Sequence, residues 1–346
     1  MKRAKSVARW ILGFAAVGSV AMLFAGAEPS VAQQQTAQPG KCQAGPNALG
    51  VSRVVEIDTA GGPRFGRMQY RDHDFLQEGE VVLTFDDGPH PAYTVPILDA
   101  LDEHCIKATF FMVGRQALSF AKYAREVGRR GHTIGTHTWG HANLGRSSAD
   151  KIQSEIELGI SAVQLALNGP TAPFFRFPYL SDPKSAQAHL ASRDTANISI
   201  DVDSHDFRTR SPSRMISNVL KGLDSKKKGI VLFHDIQPST ANGIRQLLVE
   251  LKSRGYRIVH IRPKQTQSTI AEFDQRIERS HGGPKLAAAA SGPIKRRAVT
   301  APNWEAQSAQ PPPRAPVAQQ PPQQPPLPPR QRAGSDDWRR SVFGTN

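Results

Sequence analysis

Hydrophobic and polar positions follow two rhythms between Glu80 and Pro263. Short apolar runs closed by glycine or polar residues predict strands at Val81–Phe85, Ala108–Val113, His132–Gly135, Pro173–Phe177, Asn197–Val202, Ile230–Phe233 and Tyr256–Ile261. Between them, apolar residues recur every three or four positions and predict helices at Val95–His104, Phe120–Arg130, Ser148–Asn168, Met215–Leu223 and Ile244–Arg254. Gly131 suits a helix stop, because a helix commonly ends in a left-handed residue that glycine adopts without penalty. Strand and helix in alternation describe an α/β fold on a mainly parallel sheet. Upstream, Val51–Ile57 reads as an added strand, and no internal repeat is visible.

Both ends of the chain lack this rhythm. Lys2, Arg3, Lys5 and Arg9 precede an apolar run from Trp10 to about Ala27, with small-residue sites at Ala25-Gly26-Ala27 and Ser30-Val31-Ala32. This is the three-part pattern of a signal peptide, assigned to residues 1–32, with an uncleaved membrane anchor as the alternative. Either reading places the folded part outside the cytoplasm, as a periplasmic, cell-envelope or secreted protein. Residues 33–79 then form an N-terminal extension packed on a folded middle, 80–263. From Lys264 onward the periodicity fades into proline- and glutamine-rich runs such as Gln319 to Pro329, which predict extended or coiled backbone. Residues 264–346 are expected to be a disordered, basic, Pro/Gln/Ala-rich tail, and the cluster of Trp338, Arg339, Arg340 and Phe343 a solvated terminus.

Charge narrows the partners less than the pattern does. The 346 residues carry 44 Lys and Arg against 30 Asp and Glu, a formal charge of +14, which permits nucleic acid, an anionic envelope polymer or a membrane surface and selects none. No helix-turn-helix, RNP-like or zinc-finger pattern accompanies the charge, so nucleic acid is not expected. Two cysteines are too few for a disulfide scaffold: Cys42 and Cys105 either form one bridge in an oxidising compartment or stay as two thiols.

Chemically able side chains cluster just after the predicted strands. In parallel α/β sheets and barrels the carboxyl ends of the strands share one face, so five such segments can meet. Asp86 and Asp87 stand side by side after Leu83-Thr84-Phe85, and two adjacent carboxylates need a cation to stay ionised near a buried strand end. His137 and His141, four apart, can reach one ion from a tight loop. One Asp with two His leaves positions open, the pattern of a catalytic zinc site, and this mixed donor set also accepts cobalt, nickel or manganese. A metal with open positions acidifies water and polarises a carbonyl, so amide or ester hydrolysis needs only a base and an acid in addition.

At this point the chain resembles a known family. Thr84-Phe85-Asp86-Asp87-Gly88, His137-Thr138-Trp139-Gly140-His141, Arg176-Phe177-Pro178-Tyr179, Asp203-Ser204-His205-Asp206-Phe207 and Leu232-Phe233-His234-Asp235 are similar, in order, to the five motifs of the polysaccharide deacetylases, carbohydrate esterase family four with the NodB-homology domain. The resemblance covers roughly Glu80 to Pro263 and implies a distorted (β/α) barrel; the protein is expected to be a monomer. It implies that Asp87, His137 and His141 hold the metal, that Asp86 is the base, and that His234 is the acid that protonates the leaving amine. Arg176 would orient Asp86, and Asp206 would hold His234. The backbone N–H of Tyr179, aimed by Pro178, would stabilise the oxyanion, with Phe207 and Leu232 lining the sugar groove. The fourth motif commonly ends in Trp and here ends in Phe207, a ring without an indole donor, which bears on substrate preference more than on the reaction. The expected activity is metal-dependent removal of N-acetyl groups from N-acetylglucosamine glycans, chitin-like or peptidoglycan. The alternatives are an O-acetyl or xylan esterase of the same family and a non-catalytic glycan-binding envelope protein.

Overall fold

The protein is described by a computed structural model that covers Cys42, Gly45 and residues 48–281. The predicted signal or anchor and the chain beyond His281 lie outside the described residues. Among the described residues, no helix is long and apolar enough to cross a membrane.

Ten parallel strands build the sheet: β1 Val51–Ile57, β2 Arg64–Phe65, β3 Glu80–Asp86, β4 Thr109–Met112, β5 Thr133–Thr136, β6 Phe174–Phe175, β7 Ala196–Ile198, β8 Val202–Asp203, β9 Gly229–His234 and β10 Arg257–Pro263. The helices are α1 Thr94–Glu103, α2 Gly114–Ser119, α3 Ala121–Arg129, α4 Ala149–Leu167, α5 Lys184–Ser192, α6 Pro212–Lys226, α7 Pro238–Ser253 and α8 Ala271–His281. Hydrogen bonding runs β9-β3-β4-β5-β6-β7, and β8, three residues beyond β7, returns to β9. The sheet thereby curls into a distorted barrel. β10 pairs with the first residues of β3 and carries β1 on its other edge.

Strand β3 shows why a continuous apolar run suits this position. Val81, Leu83 and Phe85 are buried against Leu98, Leu223 and Leu247 of the helical layer, whereas Val82 joins Phe111, Phe174, Ile198 and Ile230 in a second cluster. Both faces of the strand are covered, as a parallel sheet requires. At its end the second face turns polar, with Thr84 and Asp86. A third cluster joins Ile152, Ile156 and Ile160 of α4 to Phe175 of β6 and to Leu190 of α5.

The structure differs from the expected elements in several places. Helix α2 is not among the expected elements; it precedes α3, the helix expected over Phe120–Arg130, and is separated from it at Phe120, whose φ of −126° and ψ of 39° leave the helical region. The strand expected at Asn197–Val202 divides at Ser199–Asp201, where the chain passes from β7 to β8. Helix α5 has a weak apolar stripe, which the periodicity does not reveal. The tail expected from Lys264 begins with ordered chain: α8 packs on α4 and buries only Phe273 and Ile277, too few apolar positions to set a rhythm.

Cys42 and Cys105 form a disulfide with Cα atoms 5.7 Å apart, joining the N-terminal extension to the residue pair after α1.

Candidate active site

Register brings the five segments to one face. Asp86 pairs with His234 across β3 and β9, Met112 with Thr136 across β4 and β5, Thr136 with Phe175 across β5 and β6, and Asp203 with Leu232 across β8 and β9. The residues that follow these positions therefore crowd one mouth of the barrel.

Asp87 leaves β3 with φ of 74°, a left-handed conformation that non-glycine residues seldom take. The next residue, Gly88, lies so close to Asp235 that a β-carbon there would stand 2.1 Å from its carboxylate oxygens. The turn carries Asp87 Oδ1 to 3.1 Å from His141 Nε2 and 3.4 Å from His137 Nε2. These three side chains offer donor atoms that all lie within 4.8 Å of one another. Asp87 Oδ1 is buried and has no hydrogen bond among the described residues. His137 Nδ1 sits 2.7 Å from the Arg176 carbonyl, which accepts a hydrogen bond from Nδ1–H and so leaves the lone pair on Nε2, facing Asp87. His141 Nδ1 is 3.2 Å from the Tyr179 hydroxyl. An orphaned carboxylate oxygen facing two outward imidazole nitrogens fits a divalent metal by donor type and by need. Burial works to raise the Asp87 pKa, but the two imidazoles outweigh it and hold the carboxyl well below the usual range.

The histidine loop is fixed from α4. Glu155, buried in that helix, accepts from Gly140 N–H at 2.8 Å, and its carbonyl accepts from Trp139 N–H at 2.7 Å. His141 N–H donates to Thr138 Oγ1 at 2.9 Å.

Beside the cluster, Asp86 Oδ1 accepts from Arg176 Nη1 at 2.8 Å, and Asp86 Oδ2 lies 3.9 Å from His137 Nε2. Arg176 is fully buried. It also donates to Thr84 Oγ1 at 2.7 Å, to the Ile198 carbonyl at 2.8 Å and to the Ser199 carbonyl at 3.0 Å, and it lies 4.3 Å from the centre of the Phe111 ring. Burial lowers the Arg176 pKa and Asp86 opposes that, so the guanidinium stays charged and satisfied.

At the end of β9, His234 Nδ1 is 2.7 Å from Asp206 Oδ1, and Asp206 Oδ2 accepts from His234 N–H at 2.7 Å and from Thr240 Oγ1 at 2.5 Å. Burial disfavours a charged ring, but the Asp206 carboxylate prevails and pushes His234 up to about 10. The Phe207 ring meets His234 edge-on at 5.5 Å, and Leu232 shares the inward face of β9 with His234. Burial, aided by the charge of Asp87 and opposed by a hydrogen bond from Thr94, pushes Asp235 up to about 7.

Pro178 opens a short 3-10 turn, Pro178–Leu180, after β6; Tyr179 there has φ of 59° and ψ of 13°, and the residue is 54% exposed. All eleven residues singled out in the sequence thus lie on or beside one barrel mouth. Sequence reasoning missed Thr84, Glu155, Thr240 and Asp235. Glu155 alone left a signal, as a carboxylate within the apolar stripe of α4.

The polysaccharide deacetylase family model matches residues 75–196. A peptidoglycan-N-acetylglucosamine deacetylase of Bacillus cereus is 32% identical over 186 residues, 52% of this chain and 85% of that protein. A chitin deacetylase of Colletotrichum lindemuthianum is 31% identical, over 54% of this chain and 79% of its own. Among solved structures, a peptidoglycan deacetylase of Bdellovibrio bacteriovorus superposes with a TM-score of 0.58 at 34% identity; the match covers 63% of this chain and 61% of that one.

Proposed function

Because the chain belongs to the polysaccharide deacetylase family of hydrolases, we propose that it cleaves the N-acetyl amide of N-acetylglucosamine units in a chitin-like or peptidoglycan glycan, releasing acetate and a free amine. The observation that carries this reading is the convergence of a base candidate and an acid candidate, Asp86 and His234, in register on adjacent strands beside the Asp87–His137–His141 cluster. When bound to that cluster, a divalent cation, zinc by donor type, supplies the Lewis acidity that activates water and polarises the amide carbonyl.

The chain's own groups divide the proton transfers. Asp86, oriented through Oδ1 by Arg176, keeps Oδ2 toward the cluster and takes the proton of the attacking water. Asp206 holds His234 as an imidazolium through Nδ1, which leaves Nε2 to protonate the departing nitrogen. The Tyr179 backbone N–H, set by Pro178, donates to the developing oxyanion, and Phe207 with Leu232 gives the sugar an apolar wall. The Cys42–Cys105 bridge supports an exported location, because disulfides persist in oxidising compartments. A charge of +14 favours encounter with an anionic envelope polymer such as peptidoglycan.

Acetate released from chitooligosaccharides and from purified peptidoglycan, side by side and with or without chelator, tests the reading. Release that stops with chelator and returns with zinc is expected. No acetate from either glycan in the presence of zinc would overturn it.

A further inference from the structure

The Pro178–Leu180 turn has an unfavourable backbone. Tyr179 and the following Leu180 both have positive φ, 59° and 53°, consecutive left-handed residues that carry full side chains. Such a conformation persists only where the surroundings fix it. Contacts that fix it include several from the N-terminal extension, from a segment that precedes the residues the family model matches, 75–196.

Gln69 spans from the turn to the barrel. Its side-chain amide Nε2 donates to the Leu180 carbonyl at 2.7 Å, and its Oε1 accepts from Ser199 Oγ at 2.6 Å. Ser199 in turn gives its carbonyl to Arg176 Nη2 at 3.0 Å, so one chain of hydrogen bonds runs from Leu180 through Gln69 and Ser199 to the arginine that holds Asp86. Beside it, the Tyr70 hydroxyl donates to Asp182 Oδ2 at 2.5 Å and accepts from Asn197 Nδ2 at 2.5 Å, tying the chain just after the turn to β7. The segment is seated by Gly66. With φ of +100°, its backbone approaches Ser199 and Ile200 so closely that a β-carbon would stand 2.5 Å from Ile200 N, and its carbonyl accepts from Tyr70 N–H at 2.9 Å.

We propose that Gln69 is a positioning residue for the oxyanion site: through the Leu180 carbonyl it holds the Pro178–Leu180 turn so that the Tyr179 N–H faces the tetrahedral intermediate. This rests on the deacetylase reading above. The effect falls on kcat, because an oxyanion donor acts in the transition state and displacing it by a fraction of an ångström weakens that interaction alone. The three candidate metal ligands sit on other loops, and the turn meets them through the Tyr179 side chain, whose hydroxyl is 3.2 Å from His141 Nδ1, so a shift of the turn bears on zinc affinity before zinc stoichiometry.

The test compares wild type with Gln69→Ala and Gln69→Glu. The glutamate keeps an acceptor for Ser199 but has no proton for the Leu180 carbonyl, so both variants are expected to lose about 10- to 100-fold in kcat. KM should stay within about twofold, zinc stoichiometry by calorimetry should be unchanged, and amide hydrogen exchange over Tyr179 to Ser181 should quicken in both. Wild-type kcat in either variant, or a loss confined to KM or accompanied by loss of zinc, would overturn the proposal. If the wild-type protein releases no acetate, the deacetylase reading fails, and exchange decides the brace alone: unchanged rates in Gln69→Ala refute it.

Discussion

Asp87 and Asp206 are buried carboxylates at the same mouth of the barrel, and the protein treats them in opposite ways. Asp206 is saturated: it accepts from His234 Nδ1 and N–H and from the Thr240 hydroxyl, and its carbonyl accepts from Ser239 Oγ at 3.0 Å. Asp87 Oδ1 has no hydrogen bond among the described residues, although two imidazole nitrogens face it. Leaving a buried carboxylate oxygen unpaired is costly, so a fold that satisfies one carboxylate fully and not its neighbour keeps the second for something else. Saturation marks a group whose task is to hold another residue still. An orphaned acceptor among imidazoles is what the proposed metal site calls for.

The largest predicted effect breaks the ligand side. Asp87→Asn should abolish stoichiometric zinc binding in calorimetry and reduce acetate release to background, while Asp206→Asn retains zinc. Equal loss of zinc in both variants would erase the distinction.

Next in size is the acid side. Asp206→Asn or His234→Asn should lower kcat by about 10²- to 10⁴-fold, the usual contribution of a positioned acid or base. The pH dependence sharpens the point. With its folded pKa raised to about 10, His234 keeps its proton through neutral pH and loses it only as pH climbs through that value. The His234–Asp206 pair therefore stabilises the fold fully below the free ring's ordinary value, and that stability is lost toward pH 10. NMR titration of the metal-free protein should find His234 near this value, with a fall on adding zinc and a larger fall in Asp206→Asn. A His234 that titrates at its ordinary value in the metal-free wild type would contradict the pairing.

A smaller effect is expected one layer out. Glu155→Ala frees the Trp139 to His141 loop from α4 and should weaken zinc affinity about 10- to 100-fold, the usual cost of losing an outer-shell partner, with little change in the His234 titration. Unaltered zinc affinity would show that the loop holds its shape without the helix.

The saturated and orphaned carboxylates were not equally legible in the sequence. Strand ends carrying Asp86, Asp87 and His234 follow from apolar periodicity, because a buried parallel strand must be a short apolar run and its carboxyl end must open on one face. Two imidazoles four apart point to a shared ion once a carboxylate ends a neighbouring strand. The supports left no such trace. Thr84 and Thr240 are ordinary residues until register or a helix start puts their hydroxyls on Arg176 and Asp206. Gln69 lies in a stretch with no periodicity, and its partners are 111 and 130 residues away in sequence, so only the closed barrel brings them together. The brief strands β2 and β8, two residues each, are too short to show any alternation.

The central claim is that Asp87, His137 and His141 grip one ion and that the saturated carboxylate does not. A crystal structure of the zinc-loaded protein, with anomalous data collected at the zinc edge, tests it most directly. The account predicts one strong peak at about 2.0–2.2 Å from a carboxylate oxygen of Asp87 and from the Nε2 atoms of His137 and His141. A peak on Asp206 or His234, or no peak among the three ligands at stoichiometric zinc, would contradict it.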